Sequence, residues 1–102
     1  MSIHRYAARV DANQSDIVSA LRKAGAYVWI VGLPVDLLCG VAGQTILVEI
    51  KTLTGKRNPK AASYTPLQEA FMRDWLGGPV VTVTDVEGAL RVVAMLKARG
   101  IA

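Results

Sequence analysis

Apolar positions recur along the chain with a helical period in three stretches and as short strand-like runs in four. From Asp11 the period is helical: Ile17, Ala20, Leu21 and Ala24 fall at i, i+3, i+4 and i+7, Asn13 or Asp11 supplies a cap, and Gly25 marks the end. Residues 26–32, Ala-Tyr-Val-Trp-Ile-Val-Gly, are β-branched and aromatic and predict a strand. Two further apolar runs, 35–41 and 45–50, flank a Gly-containing turn signal and predict a β-hairpin. Thr65-Pro66-Leu67-Gln68 has the form of a capping box with proline at the first helical position. Leu67, Phe71 and Trp75 give that helix an apolar stripe, and Gly77-Gly78-Pro79 ends it. Val80 to Thr84 predicts a short buried strand, Asp85 a cap, and Val86, Ala89, Leu90 and Val93 a closing helix with Gly100 near its end. This order predicts an α/β fold, a central mixed β-sheet that contains the antiparallel hairpin and is flanked by helices.

Centring the hairpin turn on Ala42-Gly43 sets Val41 against Gln44, Cys39 against Ile46, and Asp36 against Glu49. Two carboxylates opposed on so apolar a hairpin repel each other, and a positive charge between them is required. Directly opposed residues have Cβ atoms roughly 4.5–5.5 Å apart, a spacing at which two carboxylates can share one divalent cation through oxygen ligands. Alternation puts Thr45, Leu47, Glu49 and Lys51 on one face and Ile46, Val48 and Ile50 on the other, which delivers Lys51 to the side of the acids. Between Trp29 and Lys51 the only charged residues are Asp36, Glu49 and Lys51. The plain alternative is a surface ion pair of Glu49 with Lys51 and a turn role for Asp36.

At 102 residues the chain has room for one domain, read as 11–102 behind a mobile basic arm at 1–10. A hydrophobic fraction of 52% and a mean hydropathy of +0.32 exclude disorder. No run approaches the roughly 18 apolar residues of a membrane span, and Met-Ser-Ile-His-Arg lacks the apolar core of a signal peptide, so a cytoplasmic protein is expected. Twelve Lys and Arg against eight Asp and Glu give a net charge of +4, which suits a polyanionic partner such as DNA. Lys56, Arg57 and Lys60 fall in the long polar stretch from Thr52 to Tyr64, next to the acids, and read as phosphate contacts. Arg5 and Arg9 stand equally as phosphate contacts or as solvated charges. Cys39 reads as a small buried hydrophobe, and no Cys or His cluster supports zinc. Tyr27 and Trp29 share a face; core packing is expected over base stacking.

Asp36, twelve intervening residues and then Glu49-Ile50-Lys51 resembles the acid followed by (D/E)-x-K of the PD-(D/E)XK nuclease superfamily. The layout is similar to its small stand-alone VRR-NUC type, often phage-encoded: Asn13-Gln14 opens a first helix, Gly-x-Pro-x-Asp-Leu-Leu spans Gly32 to Leu38, and Thr65-Pro66-Leu67-Gln68 opens a helix after the motif. The likeness covers roughly Arg9 to Leu90, with one departure: Val35 stands between Pro34 and Asp36, where the family usually has Pro directly before Asp. The resemblance implies a restriction-endonuclease-like core and a metal-dependent DNA endonuclease acting on branched or structured DNA, in the manner of a Holliday-junction resolvase. A non-catalytic DNA-binding module of the same fold is the alternative. In the nuclease reading Asp36 and Glu49, with the main-chain carbonyl of Ile50, hold Mg²⁺, for which Mn²⁺ can substitute. Lys51 positions water or stabilises developing charge, and Gln68 orients water or the scissile phosphate. Gln14 is an auxiliary site residue where relatives often carry Glu. One small domain offers little surface to span a duplex, so a homodimer is expected.

Overall fold

The computed structural model describes residues 13–52 and 64–100; the proposed basic arm and the phosphate contacts Arg5, Arg9, Lys56, Arg57 and Lys60 lie outside them. Seven elements follow in order: α1 (Gln14–Lys23), β1 (Tyr27–Ile30), β2 (Leu37–Val41), β3 (Gln44–Ile50), α2 (Pro66–Asp74), β4 (Val80–Val83) and α3 (Val86–Arg99). The strands form one sheet in the order β1-β2-β3-β4. β1, β2 and β3 run antiparallel, while β4, returned through α2, lies parallel to β3. Among the described residues the protein is therefore an α/β fold with a four-stranded mixed sheet and three helices.

The hairpin has the expected register, with Val41 opposite Gln44, Cys39 opposite Ile46 and Leu37 opposite Val48. Its two-residue loop has Ala42 at φ 53° and Gly43 at φ 77°, both positive as the type I′ turn of a twisted hairpin demands. A side chain at Gly43 would meet nothing within 4 Å, so the cost of Gly43→Ala is backbone strain alone. That variant should lose about 1–2 kcal/mol in denaturant unfolding. A loss below a few tenths would mean that the turn relaxes.

One face of the sheet carries Val28, Leu37, Cys39, Val41, Ile46, Val48 and Ile50, all buried. α1 and α3 pack against each other over this face, contributing Ile17, Val18 and Leu21 from α1 and Ala89, Val93 and Leu96 from α3. Each fully buried Leu, Ile or Val contributes about 1.5–3 kcal/mol, so this layer fixes the platform on which the other face is displayed. Burial also pushes the Cys39 thiol up to about 11, which keeps it an inert core group. Val35, the residue that separates Pro34 from Asp36, is 1% exposed and so anchors the loop entering β2.

Several expectations differ from what the fold does. Asn13 makes no side-chain cap to α1; its amide instead donates to the Thr84 carbonyl at 2.8 Å and accepts from the Thr52 hydroxyl at 2.9 Å. Tyr27 and Trp29 are not core residues but stand 68% and 58% exposed, because alternation along β1 gives Val28 to the core and turns its neighbours outward. The apolar stripe of α2 lies at the surface: Leu67 and Trp75 are exposed, and Phe71 stacks on Trp75 with ring centroids 5.1 Å apart. β4 is an edge strand, and only Val83 of it is buried. In α3, Leu90 is exposed and Leu96 belongs to the buried stripe. The capping box at Thr65 and the Asp85 cap form as read. No helix among the described residues is long and apolar enough to cross a membrane.

Candidate active site

β3 is the central strand of the chemistry, because successive residues of it serve different neighbours. The N–H groups of Leu47 and Lys51 donate to the Pro79 and Val83 carbonyls beside β3, so the main-chain groups of Ile50, between them in the alternation, turn toward β2. There the chain has already left the ladder. The Asp36 carboxylate takes the vacated place, accepting the Ile50 N–H at 2.8 Å through Oδ2. Its own carbonyl accepts from Val31 and Gly32 N–H at 2.9 and 3.1 Å, which holds the 31–36 loop and the position of the acid. By strand geometry the carbonyl of Ile50 falls on the same side of β3 as its N–H.

Glu49 follows Val48, whose ladder partner Leu37 follows Asp36, so the two acids are neighbours just past the end of the ladder; Glu49 is 2% exposed. Its Oε2 accepts from Gln68 Nε2 at 2.6 Å and is paired with Lys51 Nζ at 3.3 Å. Its Oε1 is buried with no hydrogen-bond partner. Burial raises the pKa of both acids: for Asp36 the Ile50 N–H and the neighbours Glu49 and Lys51 offset part of it, and for Glu49 the Asp36 charge adds to it while Gln68 and Lys51 oppose.

Gln68 does two things at once. Its Oε1 accepts from the Thr65 N–H and from Lys51 Nζ, both at 3.1 Å, so the residue that closes the α2 capping box also touches Glu49 and Lys51. Proline at the first position and the Thr65 cap thus aim Gln68 at Glu49. Lys51 Nζ further lies 5.4 Å from the centre of the Tyr64 ring, and the Tyr64 hydroxyl is bonded to that of Thr82, the register partner of Glu49 on β4. Asn13, bridging Thr52 and Thr84, ties the exits of β3 and β4 together next to Lys51.

Five of the six site residues read from the sequence therefore converge: Asp36, Glu49, Ile50, Lys51 and Gln68. Gln14 does not join them by any hydrogen bond among the described residues; it is buried and lines a groove between α1 and the β1 edge with Val18, Arg22 and Ile30. Tyr64, Thr82 and Asn13 were not singled out as site residues. Tyr64 alone had a signal, since it stands four residues before Gln68 at the entry to the same cap.

As a donor set this is two carboxylates and a main-chain carbonyl, and no group of three or more His, Cys, Asp or Glu side chains gathers among the described residues. A hard cation that keeps several waters and takes only one or two carboxylates fits such a set, and the unpartnered Glu49 Oε1 is an oxygen it would satisfy. No protein-family model, curated protein or solved structure matches the chain, so the function of the site rests on its own geometry.

Proposed function

We propose that the protein is a metal-dependent DNA endonuclease with a restriction-endonuclease-like core, hydrolysing phosphodiester bonds in branched or otherwise structured DNA. The observation that carries this reading is the buried Glu49, one oxygen unpartnered, facing Asp36 with Lys51 fixed beside it. Two like charges held out of water cost stability unless a cation joins them, and a surface ion pair would not be buried this way.

Asp36, Glu49 and the Ile50 carbonyl would hold Mg²⁺ or Mn²⁺, which when bound supplies charge neutralisation at the phosphate and a lower pKa for attacking water. Asp36 is kept in place for that task by the Ile50 N–H, and Glu49 by Gln68. Lys51, hydrogen-bonded to Gln68 and ion-paired with Glu49, presents a preorganised positive charge where the phosphate gains negative charge. Gln68 sets the direction of both Glu49 and Lys51 and so couples α2 to the reacting centre. The net charge of +4 favours approach of a polyanion.

The test is cleavage of labelled single-stranded, duplex, flapped and four-way-junction DNA with Mg²⁺, with Mn²⁺ and with EDTA. Cutting with either metal, none in EDTA, and preference for flap or junction over plain duplex is the expected result. Folded protein that binds these DNAs but cuts none of them would make it a non-catalytic DNA-binding module instead.

A further inference from the structure

Beyond the acid pair, the same face of the sheet displays two aromatic rings with no described element over them. Trp29, Leu38 and Leu47 form one cross-strand row, and Tyr27, Gly40 and Thr45 the next. Leu47 and Glu49 are alternate residues of β3, so these rows and the acid pair share one surface. From the strand spacing and rise, Trp29 lies roughly 12 Å from Glu49, three to four base rises of a nucleic-acid strand. Gly40 leaves room beside Tyr27: a side chain there would meet nothing nearer than the Gln44 carbonyl at 3.9 Å.

We propose that Tyr27 and Trp29 form a stacking platform for the bases of an unpaired DNA strand, which leads from the acid pair across the sheet toward the β1 edge. The strand's direction rests on the nuclease reading; the binding does not. Aromatic side chains projecting from a sheet face are how single-strand-binding folds hold bases, since every base has a π-face. Charge agrees with a polyanion. The two rows hold no acidic side chain; beyond their inner end come the acid pair and then Lys51, ion-paired with Glu49, and at the outer edge the guanidinium of the exposed residue Arg22 donates to the carbonyl of Val28, between the two aromatics, at 2.9 Å. A second copy of the chain fits less well on charge, since it brings the same net +4, whereas an oligonucleotide is opposite in sign.

The experiment is anisotropy of a labelled oligothymidylate and of a duplex of equal length, titrated with the full chain in EDTA so that no cutting intervenes. Trp29→Ala and Tyr27→Ala should each weaken single-strand binding about 5- to 150-fold while duplex affinity changes little. Trp29→Phe should restore most of the loss. Gly40→Val, which fills the gap and leaves both rings in place, should also weaken it. Because both rings are exposed, thermal unfolding of the variants should match the parent. Unchanged single-strand affinity in all of them, equal loss on duplex, or a fall in sedimentation coefficient showing that a dimer has come apart, would each overturn the platform. Cleavage read separately with Mg²⁺ keeps the two ideas apart: aromatic-dependent binding without cutting sinks the nuclease alone, and cutting with ring-independent binding sinks the platform alone.

Discussion

Replacing Lys51 by alanine is expected to slow metal-dependent cleavage about 10²- to 10³-fold while leaving DNA affinity within a few-fold. The magnitude is that of removing one preorganised charge from a site where negative charge develops, roughly 2.7–4 kcal/mol of transition-state stabilisation. Lys51 suits that role because its ammonium is fixed, at 3.3 Å from Glu49 Oε2, 3.1 Å from Gln68 Oε1 and 5.4 Å above the Tyr64 ring. A freely rotating surface lysine would contribute mainly to binding, and its loss would raise KM with kcat unchanged. Single-turnover rates at saturating protein separate the two: a fall in the chemical rate supports the role, and a change confined to half-saturation would make Lys51 a phosphate contact only.

The acid pair was legible in the sequence because three local rules agreed on it. The two-residue turn at Ala42-Gly43 fixes the register, period-two alternation fixes the faces, and the scarcity of charge between Trp29 and Lys51 makes the convergence of Asp36 and Glu49 conspicuous. Gln68 was legible from the residues as a cap and as a site residue only through the resemblance, and the sequence does not reveal that capping and contact with Glu49 happen together. What was hidden has a common cause. Tyr-Val-Trp-Ile is apolar on both faces, so alternation shows that Tyr27 and Trp29 share a side without showing which side the helices cover. Local preference makes Asn13 one of two candidate caps, with Asp11, and a long-range bond from Asn13 to Thr84 competes with that role. The period of the α2 stripe does not say whether it is buried, since exposed and buried stripes have the same period; here Leu67 and Trp75 are exposed.

The acid pair should also make the metal-free protein less stable as pH rises toward neutrality. Asp36 and Glu49 both have pKa values raised above their ordinary 3.8 and 4.5, chiefly by burial. Between those values and the raised ones the folded chain holds protons that the unfolded chain has released, so stability falls with increasing pH. The contribution is complete below the ordinary values and is lost as pH climbs through the raised ones. In EDTA, Tm should therefore decline from the acid side of this window toward pH 7 by more in the parent than in Asp36→Asn. Asparagine keeps an oxygen for the Ile50 N–H, removes one of the two like charges, and brings an amide donor to the side of the unpartnered Glu49 Oε1. At neutral pH that variant should be more stable by about 1–3 kcal/mol, the cost of a buried polar group left unsatisfied. Adding Mg²⁺ should erase the difference by stabilising the parent, by ~2.7 kcal/mol at a hundredfold excess over Kd, and should do little for Asp36→Asn. Parallel pH profiles for the two proteins in EDTA would mean that the carboxyls are not coupled, and equal stabilisation by Mg²⁺ would mean that the cation binds elsewhere. The predicted pattern is that of a site held against the preference of the fold: on the proposed reading, two facing acids that destabilise the metal-free protein at pH 7 are the groups that would serve a cation and a phosphate.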